Sequence, residues 1–281
     1  MNRNQSTQHK YLLASIFMFL ALMAACQPKE QHTLVLGHRA NGAKHAHPNE
    51  QYAENSLSAI KQGLKIFDGI EIDIQASADG TLWIYHDPYL PGTESCIPKS
   101  SDSEIEAINK ELKEYEQMQK LSSIMPIFAK NKSKTISIDV KVYHQQSCVS
   151  GKLMPLNYYL NIADSLSLLI SKHDLSNNII IEAPHFKLLQ QIEEQLPVVK
   201  TFYLSFGKLD PFKEILLEKH VDGVSIGYKN GAITKNKIDS LHTAGKFIQV
   251  WTVNEVDKFK ALMDMQPDYI QTDNKDLMEN R

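Results

Sequence analysis

No long run of lysine or arginine occurs anywhere in this 281-residue chain, and its formal net charge is only −3. A nucleic-acid partner, which needs a basic patch or stripe, is therefore discounted. Neither sign of charge dominates, with 30 basic residues against 33 acidic, and 42% of the residues are hydrophobic, so the chain is not a disordered one. No internal repeat is visible. The length suffices for one large core or two small ones. Cysteine is scarce too, at three residues, Cys26, Cys96 and Cys148.

Beyond the first thirty residues, apolar β-branched runs alternate with helical patterns, the signature of an α/β fold on a parallel sheet. The runs are 34–39, 69–75, 81–87, 135–141, 179–183, 201–206, 223–228, 247–253 and 269–273. Helices are expected near 56–66, 102–119, 156–172, 186–195, 211–219, 235–244 and 256–265. This spacing fits a (β/α)8 barrel, with one strand more than closure needs. The extra strand is assigned to a β-hairpin, because no helix fits between the second and third runs. The stretch from Pro88 to Lys134 breaks the alternation and reads as an insertion over the barrel mouth.

In the hairpin, Ile70, Ile72 and Ile74 alternate with Glu71, Asp73 and Gln75, so one face is greasy and the other acidic. Asp79-Gly80 predicts a type I′ turn, which sets Asp73 opposite His86 and Glu71 diagonal to it. Two carboxylates suit a hard divalent cation, and an imidazole beside them can move protons at neutral pH. His38 and Arg39 end the first run, and Asp139 and Lys141 end another, placing charges where a packed barrel interior would reject them. Trp251 shares strand parity with Gln249 and Val253, facing inward as a candidate apolar wall. Glu182 ends the fifth run as a pocket residue or half of a buried pair. His45 and His47 read as a solvated loop.

At the N-terminus, Arg3 and Lys10 precede an apolar stretch from Tyr11 to Ala25 that is too short for a comfortable spanning helix and ends at Cys26. This segment resembles a bacterial lipoprotein signal. The resemblance implies a signal peptide over 1–25, a lipidated tether over 26–32 starting at Cys26, and an exported protein held at a membrane of the cell envelope, which leaves 33–281 as the folded domain. Cys96 and Cys148 then remain as a pair in a compartment that permits disulfides, and sequence does not show whether they bridge.

The motifs GHR at 37–39, AENS at 53–56, EID at 71–73, HD at 86–87 and IDVK at 138–141 occur in order, followed by WTVN at 251–254 and DYIQTD at 268–273. As a set they resemble the glycerophosphodiester phosphodiesterase family, and the resemblance covers nearly everything from Thr33 onward. It implies a TIM barrel that hydrolyses a glycerophosphodiester to glycerol 3-phosphate and an alcohol with one divalent cation, Ca²⁺ or Mg²⁺. On this resemblance Glu71, Asp73 and Asp139 would be metal ligands, and His38 and His86 the acid and base. Arg39 and Lys141 would bind phosphate, and Glu54 and Asn55 would order the first loop. Ala40 stands where the family has Gly, Ala53 and Ser56 where it has Pro and Thr, and Asp139 where the third ligand is Glu. The alternatives are a lysophospholipid or phospholipid phosphodiesterase and an inactive phosphate-binding surface lipoprotein. Oligomeric state is not legible.

Overall fold

Residues 32–41, 53–141, 155–175, 178–206, 215, 220–229 and 233–281 are described by the computed structural model. The expected signal segment, Cys26, His45, His47, Cys148 and all but Ile215 of the helix expected at 211–219 lie outside the described residues. The chain divides into two units, Met1–His32 and Thr33–Arg281, and the described strands and helices belong to the second.

Every expected run overlaps a strand. These are β1 (Leu34–Gly37), β2 (Gly69–Ala76), β3 (Leu82–Ile84), β5 (Thr135–Val140), β6 (Ile179–Ala183), β7 (Lys200–Ser205), β8 (Gly223–Gly227), β9 (Phe247–Trp251) and β10 (Tyr269–Thr272), with a two-residue β4 (Gln119–Lys120) besides. Parallel pairing passes from β1 through β10, β9, β8, β7, β6 and β5 to β2, and β2 pairs back onto β1 at Leu36↔Gly69 and Gly37↔Ile70. Eight strands thus close a parallel barrel. The extra run, β3, the third in sequence, lies antiparallel on the upper half of β2, above the edge that β1 occupies lower down, and β4 extends it.

The hairpin register differs from the expected one. Ile74 faces Ile84 and Gln75 faces Trp83, so Asp73 stands beside Tyr85, whose N–H donates to the Asp73 carbonyl at 3.0 Å, and not beside His86. The turn explains the shift. A type I′ turn needs positive φ at both central residues, but only Gly80 has it, at 83°. The loop therefore takes in Ala78 as well, with Gly80 N–H bonded to Ser77 O and Ser77 N–H to Thr81 O. One extra residue moves the partner of Asp73 by one.

The helices are α1 (Leu57–Ile66), α2 (Asp102–Glu111), α3 (Leu121–Ala129), α4 (Leu156–His173), α5 (Phe186–Gln195), α6 (Lys235–Thr243) and α7 (Val256–Met265). Caps fix several starts: Ser56 accepts from Ala59 N–H at α1, and Ser101 and Glu104 form a reciprocal capping box at α2. The helix expected over 102–119 stops at Glu111, because the Asn109 amide folds over the Met118 backbone at 2.7 and 3.0 Å and leaves only a short 3₁₀ turn at Glu114–Glu116. α3 was not expected. It buries Leu121, Ile124, Met125 and Phe128 against the barrel despite an internal Pro126.

Strand parity sorts the two faces of the barrel wall. Outward residues such as Ile70, Ile72, Ile136, Ile138 and Val140 join side chains of the helices in one continuous core. Inward columns change character along the strand: Leu36, Ile180, Phe202 and Tyr269 form an apolar plug, and the next inward positions above it include Glu182 and Gln271. Ring contacts of Phe202 with Phe247 and Tyr269 close the plug from strands that are not neighbours. Cys96 is buried and disulfide-bonded. Among the described residues no helix is long and apolar enough to cross a membrane.

Candidate active site

The chain leaves β1 through a tight turn in which Arg39, Ala40 and Asn41 all have positive φ, at 48°, 61° and 75°. Left-handed backbone costs a non-glycine residue about 1–2 kcal/mol. The turn persists because its surroundings hold it: Arg39 N–H donates to Glu71 Oε2 at 2.8 Å, and Asn55 N–H to the Arg39 carbonyl at 3.0 Å. Its outcome is that His38 and Arg39 face the mouth while Ala40 is buried under α1.

Two residues of the 53–56 motif finish the job. Glu54 accepts both contacts from Arg39 Nη1, at 3.1 and 3.0 Å, and Arg39 Nη2 meets His86 Nε2 at 2.7 Å. Asn55 clamps Asp73, donating to Oδ2 at 2.6 Å and accepting from its backbone N–H at 3.1 Å. The loop is thus ordered by the very side chains it presents.

Glu71, Asp73 and Asp139 are all buried, and one oxygen from each lies within 4.8 Å of the others. Register puts them together, since Asp73 pairs directly with Asp139 across β2 and β5. Lys141 Nζ bridges Asp73 Oδ1 at 2.6 Å and Asp139 Oδ2 at 2.5 Å. Burial, with the charges of Asp73 and Glu182, pushes the Glu71 carboxyl well above its ordinary range. Burial lifts Asp139 to about 6 against the pull of Lys141. In Asp73 burial acts the same way but is overridden by Lys141, His86 and Arg39, which hold it below the usual carboxylate range. Glu71 Oε1 and Asp139 Oδ1 accept no hydrogen bond among the described residues. Hard, buried, unsatisfied oxygens of this kind fit a divalent cation.

The histidines are held alike. His38 Nδ1 is 2.7 Å from Asp273 Oδ1, and Asp273 Oδ2 accepts from Asn254 at 2.7 Å. His86 Nδ1 is 2.8 Å from Asp87. His38 therefore keeps Nε2 for the site, 3.9 Å from Glu71 Oε2, whereas His86 Nε2 accepts from Arg39 Nη2. Burial opposes ionisation of Asp273, but His38 and Asn254 hold its carboxyl below the ordinary value.

Two cavities meet at His38 and Arg39. The inner one, about 160 Å³, lies over Glu71, Asp139 and Lys141 and is walled by Trp251 and Phe206. The outer one, about 580 Å³, runs between the first loop and the insertion, reaching Leu112 and Met118. The expected insertion thus lines the mouth. Among the described residues Glu182 forms no ion pair; its oxygens accept from Ser137 Oγ, Gln249 Nε2 and Gln271 Nε2, each at 2.9 Å.

The residues singled out from sequence, His38, Arg39, Glu54, Asn55, Glu71, Asp73, His86, Asp139, Lys141 and Trp251, converge at this mouth, and Cys26 lies outside the described residues. Asp273 and Asn254 were quoted only as parts of motifs. The signal for Asp273 was its parity, two positions beyond inward Gln271 on β10.

A family model described as the glycerophosphoryl diester phosphodiesterase family matches residues 38–277. A glycerophosphodiester phosphodiesterase of Caldanaerobacter subterraneus subsp. tengcongensis is 22% identical over 255 residues, covering 88% of this chain and 97% of that protein. The crystal structure of a glycerophosphodiester phosphodiesterase from Parabacteroides distasonis superposes with a TM-score of 0.70 at 20% identity, covering 90% of this chain and 97% of that one. An Oleispira antarctica phosphodiesterase in complex with its product sn-glycerol-3-phosphate superposes with a TM-score of 0.66 at 17% identity, covering 88% and 95%. With the barrel closed, the motif residues gathered at its mouth and the family match spanning nearly the whole second unit, the chain belongs to the glycerophosphoryl diester phosphodiesterase family and is a phosphodiesterase.

Proposed function

We propose that this enzyme hydrolyses glycerophosphodiesters to glycerol 3-phosphate and an alcohol, using one divalent cation and two histidines in acid and base roles. The observation that carries the reading is the convergence of His38, His86 and Arg39 on a buried set of three carboxylates at the barrel mouth. The product complex of the Oleispira protein supports the substrate class.

Glu71, Asp73 and Asp139 would hold the cation, Ca²⁺ or Mg²⁺, which when bound neutralises charge on the phosphate oxygens. Arg39 offers Nε, which has no partner among the described residues, to a phosphate oxygen, while Glu54 fixes the plane of the guanidinium. Lys141 keeps Asp73 and Asp139 in place and adds positive charge beneath the phosphate. One histidine Nε2 takes the proton of the attacking hydroxyl, and the other gives a proton to the departing alkoxide; steps of this kind contribute about 10²- to 10⁴-fold each. Trp251 walls the glycerol. The nucleophile in this scheme is the neighbouring glycerol hydroxyl of the substrate, giving a cyclic phosphate that water then opens.

The test is release of glycerol 3-phosphate from a panel of glycerophosphodiesters with Ca²⁺, Mg²⁺ or EDTA, beside His38→Ala. Release that needs the metal and is lost in the variant is expected. Phe206, 58% exposed and edge-on to Trp251, favours comparing lysophosphatidylcholine as well; cleavage of that lipid alone would reject the substrate class. Lipidation of Cys26 and export belong to the same proposal, and the intact mass of the mature chain decides them.

A further inference from the structure

We infer that the outer cavity receives the alcohol half of the diester and selects one bearing a positive charge, a quaternary or primary ammonium. The inference rests on the proposed hydrolysis of glycerophosphodiesters.

A phosphodiester has two arms that diverge from phosphorus, and this mouth has two cavities that diverge from His38 and Arg39. The inner one, at about 160 Å³ and walled by Trp251, suits a three-carbon polyol. The outer one, at about 580 Å³, leaves space for a larger group. Its walls are of two kinds. Tyr85, Leu112 and Met118 present apolar surface, and the Tyr85 ring is fixed by its hydroxyl bonding the Tyr89 carbonyl at 2.9 Å. The charged side chains that line it, among the described residues, are four carboxylates, Glu54, Asp87, Glu116 and Asp273, against Arg39 and the imidazole of His38.

Arg39 and His38 stand at the junction, where the phosphate belongs. Glu54 and Asp273 are held at that junction by Arg39 and His38, so the charged groups lining the cavity farther out are Asp87 and Glu116, and Asp87 and Glu54 both act electrostatically on Tyr85. An aromatic face flanked by carboxylates is the environment that attracts an ammonium and repels a second anion. Glu116 comes from the insertion, on the short turn Glu114–Glu116, and the neighbouring Tyr115 carbonyl accepts the Ala53 N–H at 3.0 Å. The insertion wall is therefore tied to the loop that carries Glu54. A phosphorylated headgroup meets like charge there.

The experiment compares kcat/KM for glycerophosphocholine and glycerophosphoglycerol, with the full-length protein and Glu116→Gln, at low and high salt. Cation–π and exposed ion-pair contacts together favour the choline ester by about five- to tenfold. Glu116→Gln should lower that ratio several-fold by lowering kcat/KM for the choline ester more than for the neutral one, and salt should lower it too. Equal kcat/KM for the two esters, or a variant that slows both alike, overturns the inference and leaves the hydrolysis standing. Cleavage of neither ester removes the underlying reading and the inference with it.

Discussion

His38 can present only one nitrogen to a substrate, because the other is 2.7 Å from Asp273 Oδ1. Asp273 is itself fixed by the Asn254 amide on both its carboxylate and its backbone N–H, at 2.7 and 2.9 Å. Since its carboxyl is held below the ordinary range, it stays ionised throughout the working range of the enzyme. In the proposed acid and base roles, a permanently charged acceptor orients the ring and would stabilise an imidazolium at His38. Asp273→Asn keeps the shape but removes the charge, so kcat should fall about 10²- to 10⁴-fold. KM should change little, because Asp273 positions a histidine and binds no substrate. Asp273→Glu should recover part of the loss. Steady-state kinetics on the two variants checks this, and a rise in KM alone would assign Asp273 to binding.

Among the elements, α1 and the turn after β1 depend on one missing methyl group. A Cβ on Gly63 would stand 2.6 Å from the Ala40 carbonyl oxygen and 2.7 Å from Ile70 Cγ2, so helix and turn approach as closely as backbone allows. In an isolated helix Ala is favoured over Gly by about 1 kcal/mol. Here the steric term wins, since the Ala40 carbonyl cannot rotate out of a turn already strained by three positive φ values. Gly63→Ala is expected to destabilise the protein by about 1–3 kcal/mol, read as a lower denaturant midpoint, and to reduce activity by shifting His38 and Arg39. A midpoint at or above that of the parent would sink this account of the contact.

That contact was invisible in the sequence, as were other features that arise between elements. The strands were legible because β-branched residues mark them, and the inward charges because Asp73, Asp139 and Glu182 break the hydrophobic pattern of their strands. The hairpin register was not, since Asp79-Gly80 supports two turns that differ by one residue and the choice depends on where Ser77 and Thr81 pair. α3 escaped notice because Pro126 sits inside it and only packing on the barrel stabilises it. Asp273 looked like a strand end until His38, 235 residues away in sequence, was placed beside it.

Across the whole molecule the mouth concentrates more negative charge than it neutralises. Glu71, Asp73, Asp139 and Glu182 are buried together with Lys141, and Arg39 is engaged by Glu54. The pKa values of Glu71, Asp139 and Glu182 are raised in the fold, first by burial. Groups raised in this way favour the folded state fully below their unfolded values, near pH 4, and that contribution is lost as pH climbs through the folded values, about 6 for Asp139. Asp73 works in the opposite sense, its contribution present at neutral pH and lost on acidification. In EDTA the three raised groups should therefore weaken the fold between pH 5 and 7.5. A divalent cation reverses this, because it competes with protons for the same oxygens. At a hundred times its Kd it should add about 2.7 kcal/mol, or about 5–10 °C in Tm for a domain of this size. The gain should be larger at pH 7.5 than at pH 5 and should disappear in Glu71→Gln. Thermal melts with Ca²⁺ or Mg²⁺ at the two pH values, free of any assay of turnover, decide whether these carboxylates hold a cation; equal gains at both, or none, would remove them from that role.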